Sequence, residues 1–351
     1  MTGDAAGEVS TAREVSTAVR ELLDPIDIYA ADGTWSEAAQ RAACERLSAG
    51  GWLGAGLSVR LGGAGGDLRD AVAVTGACAA AGHRLPAADA GIVAAHVLEL
   101  SGLPAPPGLL VPVPAACTLR DGRLLVRAER VPFARWAATL LVVADDGDSG
   151  TGLRTCLIDA AAAQIVAGAN LAGEPRDTVL IDGARPAAVA AADGGIRDQL
   201  HRAGALARAS QIAAATERML DLATGYCRQR RQFGRELAQF QAVQQQLALL
   251  AAEALAARAA VQRALALLGP GLWPLEPVAV AKVRTGLAAT AASRIAHQLH
   301  GAIGITAEHA LHRFTVPAWS WREEYGTERH WSAALIADRG PHLWPSLTTG
   351  P

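Results

Sequence analysis

Arg228, Arg230, Arg231 and Arg235 are four cations within eight residues, in the stretch Tyr226-Cys-Arg-Gln-Arg-Arg-Gln-Phe-Gly-Arg-Glu-Leu-Ala-Gln-Phe-Gln-Ala-Val-Gln-Gln. Guanidinium forks suit phosphate recognition, because they hold paired donors in a rigid plane. The plain alternative is a solvated turn whose arginines face the last carbonyls of a helix. Two further clusters could carry chemistry. Gln298-Leu-His-Gly-Ala-Ile-Gly304 sets an amide and an imidazole before a glycine turn. His300 is there a candidate general base, or a capping donor at a helix end. Glu323-Glu324-Tyr325-Gly326-Thr327-Glu328 places carboxylates beside a Gly-Thr step. A helix opening at that step offers free N–H groups, a hydroxyl and the positive end of a dipole. Thr327 is equally an ordinary N-cap.

The elements that must position these groups follow from periodicity. Leu200, Ala203, Leu206, Ala207, Met219, Leu222 and Tyr226 recur mostly at spacings of three and four, and so do Phe240, Val243, Leu247, Leu250 and Leu255. The arginine stretch is therefore an elbow between two long antiparallel helices, breaking at Gly234 and resuming at Phe240. Pro277–His300 is a third helix and the segment after Gly326 a fourth, which together imply an up-down bundle. Residues from about Val9 to Leu100 also read as helices, including Trp35 to Leu47 and Leu68 to Ala81. The glycine cluster Gly62–Gly66 is a turn before the latter, since a dinucleotide loop needs a preceding buried strand. Past Pro104, Pro106, Pro107, Pro112 and Pro114 the period changes. Leu109–Val113, Arg123–Ala128, Thr139–Val143, Thr155–Ile158 and Val179–Ile181 are short β-prone runs, with turns at Asp121-Gly122 and Asp146-Gly147. The expected fold is mainly α with a β insert: an N-terminal helical domain over 1–105, a small middle β domain over 106–195, and a C-terminal antiparallel four-helix bundle over 196–351.

Composition excludes several classes. The net charge is −2 over 351 residues, so the basic face of a nucleic-acid-binding domain is not expected. Lys282 is the sole lysine, and the excess of Arg and Ala reads as coding bias. Five scattered cysteines contain no Cys-x-x-Cys pair; buried free thiols in a reducing compartment are expected, with no metal site. The acidic N-terminus lacks a secretory pattern. No apolar run is long enough to span a bilayer. A cytoplasmic protein is expected.

Arg230-x-Gln232-Phe233-Gly234 followed by Phe240-Gln241-x-Val243-Gln244 resembles the signature of the acyl-CoA dehydrogenase family of helical flavoproteins. The resemblance runs from near the N-terminus to about Leu343, and includes the Gly51-Trp52 and Gly62-Gly63-x-Gly65 passage. It implies that the elbow reaches across a subunit interface to the FAD of a neighbour. Gln298, Gly301 and Gly304 match a further motif that touches the adenosine half of that flavin; Ala302 stands where a glycine is usual. Thr327 matches a contact to the flavin diphosphate. The implied cofactor-binding set is Arg230, Gln232, Phe233, Gln241, Gln298, Gly301 and Thr327.

Family catalysis removes the α-proton of an acyl thioester with a carboxylate while hydride leaves the β-carbon for flavin. That carboxylate needs a raised pKa. Counted from Gly301, the usual base position is occupied by Tyr325, and a phenol is a poor base near neutrality. The other family position falls at Gly204, with Ala205 where Arg is usual. Glu324 is the nearest carboxylate and the candidate for the catalytic carboxylate; its other expected place is the rim, or a pair with Arg322. A Thr-Glu-Pro and Gly-Ser-Asp passage typical of the family has no counterpart between Ser101 and Arg123. The leading expectation is a divergent subunit of a hetero-oligomer, such as a tetramer with a second acyl-CoA dehydrogenase subunit. It would share an FAD site, with electron-transfer flavoprotein as a redox partner. The alternatives are an active homo-oligomer using Glu324, or a flavin oxygenase or non-redox relative on the same fold. Ala205, Ala209 and Ala213 would leave room for a bulky acyl chain or allow close helix packing. Trp319, Trp321, Trp331 and Trp344 are expected in a C-terminal core or interface.

Overall fold

The computed structural model describes residues 4–29 and 35–340; Trp344 and the expected boundary near Leu343 lie outside them. Helices α1 (Asp4–Leu23), α2 (Glu37–Ala49), α3 (Leu68–Ala80) and α4 (Ala95–Ser101) come first. Ser36 caps α2 by accepting from the Ala39 N–H at 3.3 Å. Asp67 and Asp70 close a reciprocal capping box on α3, which satisfies orphan N–H groups at the helix start. The glycine cluster before α3 is the turn that leads into this cap. A π-helical segment, Asp89–Ala94, runs directly into α4.

Seven strands follow in one mixed sheet: β1 (Leu110–Arg120), β2 (Arg123–Pro132), β3 (Thr139–Asp146), β4 (Leu153–Asp159), β5 (Gln164–Val166), β6 (Arg176–Ala184) and β7 (Ala188–Ala192). Their order is β5-β6-β2-β1-β3-β4-β7. Only β1 and β3 pair in parallel; the other neighbours are antiparallel. Asp121 and Gly122, at φ 51° and 66°, make the tight turn between β1 and β2. The five predicted runs are five of these strands.

The C-terminal part begins with α5 (Ile196–Gln229), then α6 (Gln241–Leu267), α7 (Leu275–His300), α8 (His312–Glu323) and α9 (Glu328–Arg339). Helices α5, α6 and α7 run up, down and up. The fourth pillar comes in two pieces, since α8 packs on α5 and α9 on α7. Helix α8 was not expected, because Pro317 stands inside it. Among the described residues there are nine α-helices, and the architecture is the expected one: mainly α with a β insert and an antiparallel helical bundle.

Three apolar clusters hold this together. One packs α1–α3 on a face of the sheet, through Leu23, Leu47, Val74, Val111, Val126 and Val142. A second joins the other face to α4, α5 and α7, through Leu98, Leu141, Leu157, Leu206 and Val278. The third is the far end of the bundle, around Met219, Leu250, Ile295 and Trp321. Ala205, Ala209 and Ala213 are buried in the second cluster, as close helix packing. All five cysteines are free and buried. No helix among the described residues is long and apolar enough to cross a membrane.

Candidate functional site

Residues Ala203 to Gln211 of α5 are buried without a gap. A helix covered on all sides should be apolar throughout, yet this one carries Arg208. Its charge is met on two sides. Nη2 donates to Asp89 Oδ1 at 2.7 Å, and Nε donates to Glu324 Oε2 at 2.7 Å. Arg176, at the start of β6, grips the same carboxylate, with Nε to Oε1 at 2.8 Å and Nη2 to Oε2 at 2.9 Å. Glu174 bonds Arg176 at 2.8 Å and accepts the Trp321 indole N–H at 2.9 Å. Asn170 donates to both Glu174 and Glu324. The chain Asp89–Arg208–Glu324–Arg176–Glu174 thus locks π-helix, bundle and sheet together out of water.

Glu324 is not on the rim and does not pair with Arg322, which instead bonds Glu328 at 2.5 Å and lies 3.7 Å from Glu323. Burial alone would raise the Glu324 pKa. Arg176 and Arg208 overcome that and hold it well below the usual carboxylate range. A general base needs the opposite balance. Lys282 on α7 donates to the Trp321 and Arg322 carbonyls at 3.1 and 2.7 Å, capping the end of α8. Burial lowers its pKa to about 8, against the pull of Glu328 and Glu324.

The fourth pillar breaks immediately after Glu324. Tyr325 has φ 52° and Gly326 φ 90°; a bulky residue in the left-handed region is uncommon. Trp331 Nε1 donates to the Tyr325 carbonyl at 2.9 Å and holds the turn. Thr327 then caps α9, its hydroxyl accepting from the His330 N–H at 3.4 Å. The ring of Tyr325 lies against Gly204. The two positions at which the family resemblance looks for a base therefore face each other, and neither bears a carboxylate. Burial raises the Tyr325 pKa further above its ordinary value, so the phenol stays protonated. Its hydroxyl is buried without a partner. A cleft of about 330 Å³ opens between Arg130 and Pro132 of the sheet and His201, Tyr325 and Gly326 of the bundle.

The elbow stands at the other end of α5. Arg231–Gln232 and Arg235–Glu236 pair as a two-stranded ribbon, β8 and β9. Phe233 and Gly234, at φ 51° and 77°, form its two-residue turn. The Leu237 N–H donates to the Arg230 carbonyl at 2.9 Å and closes the corner. Arg235 lies over the Phe240 ring at 3.9 Å. Arg228 and Arg230 make no side-chain bond within the described residues. Phe233 is 90% exposed. Gln241 opens α6, exposed. Gln298 is exposed near the end of α7, and Gly301, at φ 64°, has open space where a Cβ would point. His300 is buried and donates from Nδ1 to the Ala296 carbonyl at 2.7 Å, a capping role.

The structure therefore sorts the sequence candidates into two groups. Arg230, Gln232, Phe233, Gln241, Gln298 and Gly301 gather at one end of the bundle. Glu324, Tyr325 and Thr327 sit at the other. Gly204 and Tyr226 share α5 with about 33 Å between them at 1.5 Å per residue. The elbow end fits a dinucleotide diphosphate: it offers uncommitted guanidinium donors, an open glycine backbone and an exposed ring. The Tyr325 end does not fit the proton-abstraction step. Sequence reasoning missed Asp89, Glu174, Arg176 and Arg208. The available signal was a lone charge inside an Ala-rich run, as at Ala87-Ala88-Asp89-Ala90 and Leu206-Ala207-Arg208-Ala209.

Residues 195–337 match the family described as acyl-CoA dehydrogenase, C-terminal domain. Acyl-CoA dehydrogenase IpdE2 of Mycobacterium tuberculosis is 38% identical over 122 residues, covering 35% of this chain and 36% of the relative. A 3-sulfinopropanoyl-CoA desulfinase of Paraburkholderia xenovorans is 34% identical over 125 residues, covering 34% and 32%. These matches span about a third of the curated relatives' length. The ChsE4-ChsE5 complex from Mycobacterium tuberculosis superimposes with a TM-score of 0.76 at 21% identity, over 97% of this chain and 98% of the matched one. The chain has the acyl-CoA dehydrogenase fold over nearly its whole length, and residues 195–337 are similar to the C-terminal domain of that family.

Proposed function

We propose that this chain is a divergent acyl-CoA dehydrogenase-type subunit that lends its arginine elbow to FAD held largely by a partner chain and does not itself abstract the substrate proton. The observation that carries this reading is the separation of the two ends. The elbow presents Arg230, Gln232 and Phe233 to the outside, about 33 Å along α5 from the Tyr325 turn. No single dinucleotide reaches both, so the elbow serves a site completed by another chain. The hetero-oligomeric ChsE4-ChsE5 neighbour makes such a partner reasonable.

The residues of this chain then act as follows. Arg230 and the neighbouring arginines neutralise phosphate charge, Gln232 and Gln298 offer amide hydrogen bonds, and Phe233 covers an apolar face of the partner's pocket. Gly301 lets backbone approach closely. When bound, FAD supplies a hydride acceptor for the β-carbon of an acyl thioester. The α-proton must go to a carboxylate of the partner, because Glu324 is fixed as an anion between two guanidiniums and Tyr325 stays protonated. Electron-transfer flavoprotein is the fitting oxidant for the assembled enzyme.

The test is to purify the chain alone and with the subunit encoded beside it, and to record visible spectra and acyl-CoA oxidation. Flavin and turnover are expected only in the pair. Stoichiometric flavin and acyl-CoA oxidation by the chain alone would remove the division of labour and favour a homo-oligomer working through Glu324. A reaction that needs no α-proton base, in a flavin oxygenase or a non-redox relative, is a second reading, favoured by the missing carboxylate and by the desulfinase relative. Oxygen consumption with reduced flavin tests the oxygenase branch.

A further inference from the structure

Three aromatic rings join the two parts of the elbow end. Tyr226, in the last turn of α5, stacks on His300 at a centroid distance of 4.8 Å and 28° between planes. His300 ends α7, and the His309 ring lies 4.4 Å beyond it, tilted by 58°. Tyr226 and His309 also meet edge to face at 6.2 Å. Tyr226 and His300 are each joined to backbone at one of the corners. The Tyr226 carbonyl accepts the Arg230 N–H at 2.8 Å, at the point where the elbow leaves the helix. His300 precedes Gly301, and a Cβ on Gly304 would fall 2.7 Å from the His300 Cβ, so the glycine corner is folded onto this imidazole. His309 Nδ1 accepts the Leu311 N–H at 3.1 Å, which orients the third ring.

Beyond the stack the two corners are exposed: Arg230 to Arg235 on one side, Gly301 to Ile303 on the other. Among the described residues, no hydrogen bond or ion pair on the outer surface ties them directly. At their base, beside the aliphatic packing of α5 on α7, lie planar side chains that have few rotamers and resist compression.

We propose that the Tyr226–His300–His309 stack is a positioning element that fixes the spacing between the arginine elbow and the Gly301–Gly304 corner, so that both grip one dinucleotide together. This rests on the reading that the elbow end receives FAD of a partner chain. The rings touch protein, not cofactor; they act through Arg230 and Gln298.

Two readouts separate the inference from the reading beneath it. Nitroxide labels at Gln232→Cys and Gln298→Cys, both exposed, report the spacing in the full chain without flavin; the five native thiols are buried. A narrow distance distribution is expected in the parent and in Tyr226→Phe, which keeps the ring, and a broadened one in Tyr226→Leu. An unchanged narrow distribution in Tyr226→Leu overturns the proposal. If Tyr226→Leu does not fold, His309→Ala at the outer end of the stack is judged by the same criterion. In the assembled pair of subunits without labels, Tyr226→Leu is expected to weaken flavin retention about tenfold or more, with Tyr226→Phe restoring it. If Arg230→Ala releases flavin while Tyr226→Leu retains it, the stack does not position the grip and the shared-flavin reading stands. If the parent pair holds no flavin, the reading fails, while the label distances still decide whether the stack sets the spacing.

Discussion

The Tyr325 ring occupies the space that a side chain at residue 204 would need: a Cβ built on Gly204 falls 2.1 Å from Tyr325 Cδ1. The absence of a side chain at one position and the large ring at the other are a single adaptation. Gly204→Ala should therefore be strongly destabilising alone, in the range of about 1–3 kcal/mol or more for overpacking. In a Tyr325→Ala background the same change should cost little. Thermal or denaturant unfolding of the two single variants and the double variant measures the coupling. Additive effects would show that the ring moves aside freely.

Tyr325→Phe removes a hydroxyl that is buried and has no hydrogen-bond partner. Such a group carries a desolvation cost of about 1–3 kcal/mol. The variant should be as stable as the parent or more so by urea unfolding. A loss of stability would reveal a partner for the hydroxyl, such as an internal water.

Glu324→Gln leaves Arg176 and Arg208 facing each other with one negative charge fewer between them. Breaking a buried pair from one side costs about 3–5 kcal/mol. The expected result is a large loss of stability, read as a shift of the denaturation midpoint. Unchanged stability with abolished acyl-CoA oxidation would instead restore Glu324 as a base.

How much of this was legible in the sequence depended on distance along the chain. The elbow was legible because its parts are contiguous: helix, two-residue turn, ribbon and next helix all fall between Tyr226 and Gln245. The bundle helices were legible from their apolar spacing. Strand β5, at three residues, is too short for an alternation, and Ala188–Ala192 has too little side chain to show one. The ion-pair chain was illegible because its partners stand far apart; Asp89 and Arg208 are separated by 119 positions and joined only by the folded core.

Burial lowers the pKa of His83, His96 and His201 to about 4 each, from the ordinary 6.5. Between those values the unfolded chain binds more protons than the folded one. Stability is therefore full above pH 6.5 and is lost as pH falls toward 4. Each histidine can account for roughly 3 kcal/mol of that loss at most. His96→Gln should flatten the dependence of the melting temperature between pH 7 and 5. An unchanged slope would mean that His96 takes up its proton without leaving the Gln199 side chain, 3.0 Å away.

Lys282, the sole lysine, lies under the end of α8 and is almost fully enclosed. The described surface therefore displays no side-chain primary amine. Acetylating or ubiquitin-attaching enzymes find no lysine to act on in the folded chain, and amine-directed cross-linkers cannot capture its partner through a side chain. A covalent snapshot of the assembly must instead use carboxylate, arginine or photoreactive chemistry.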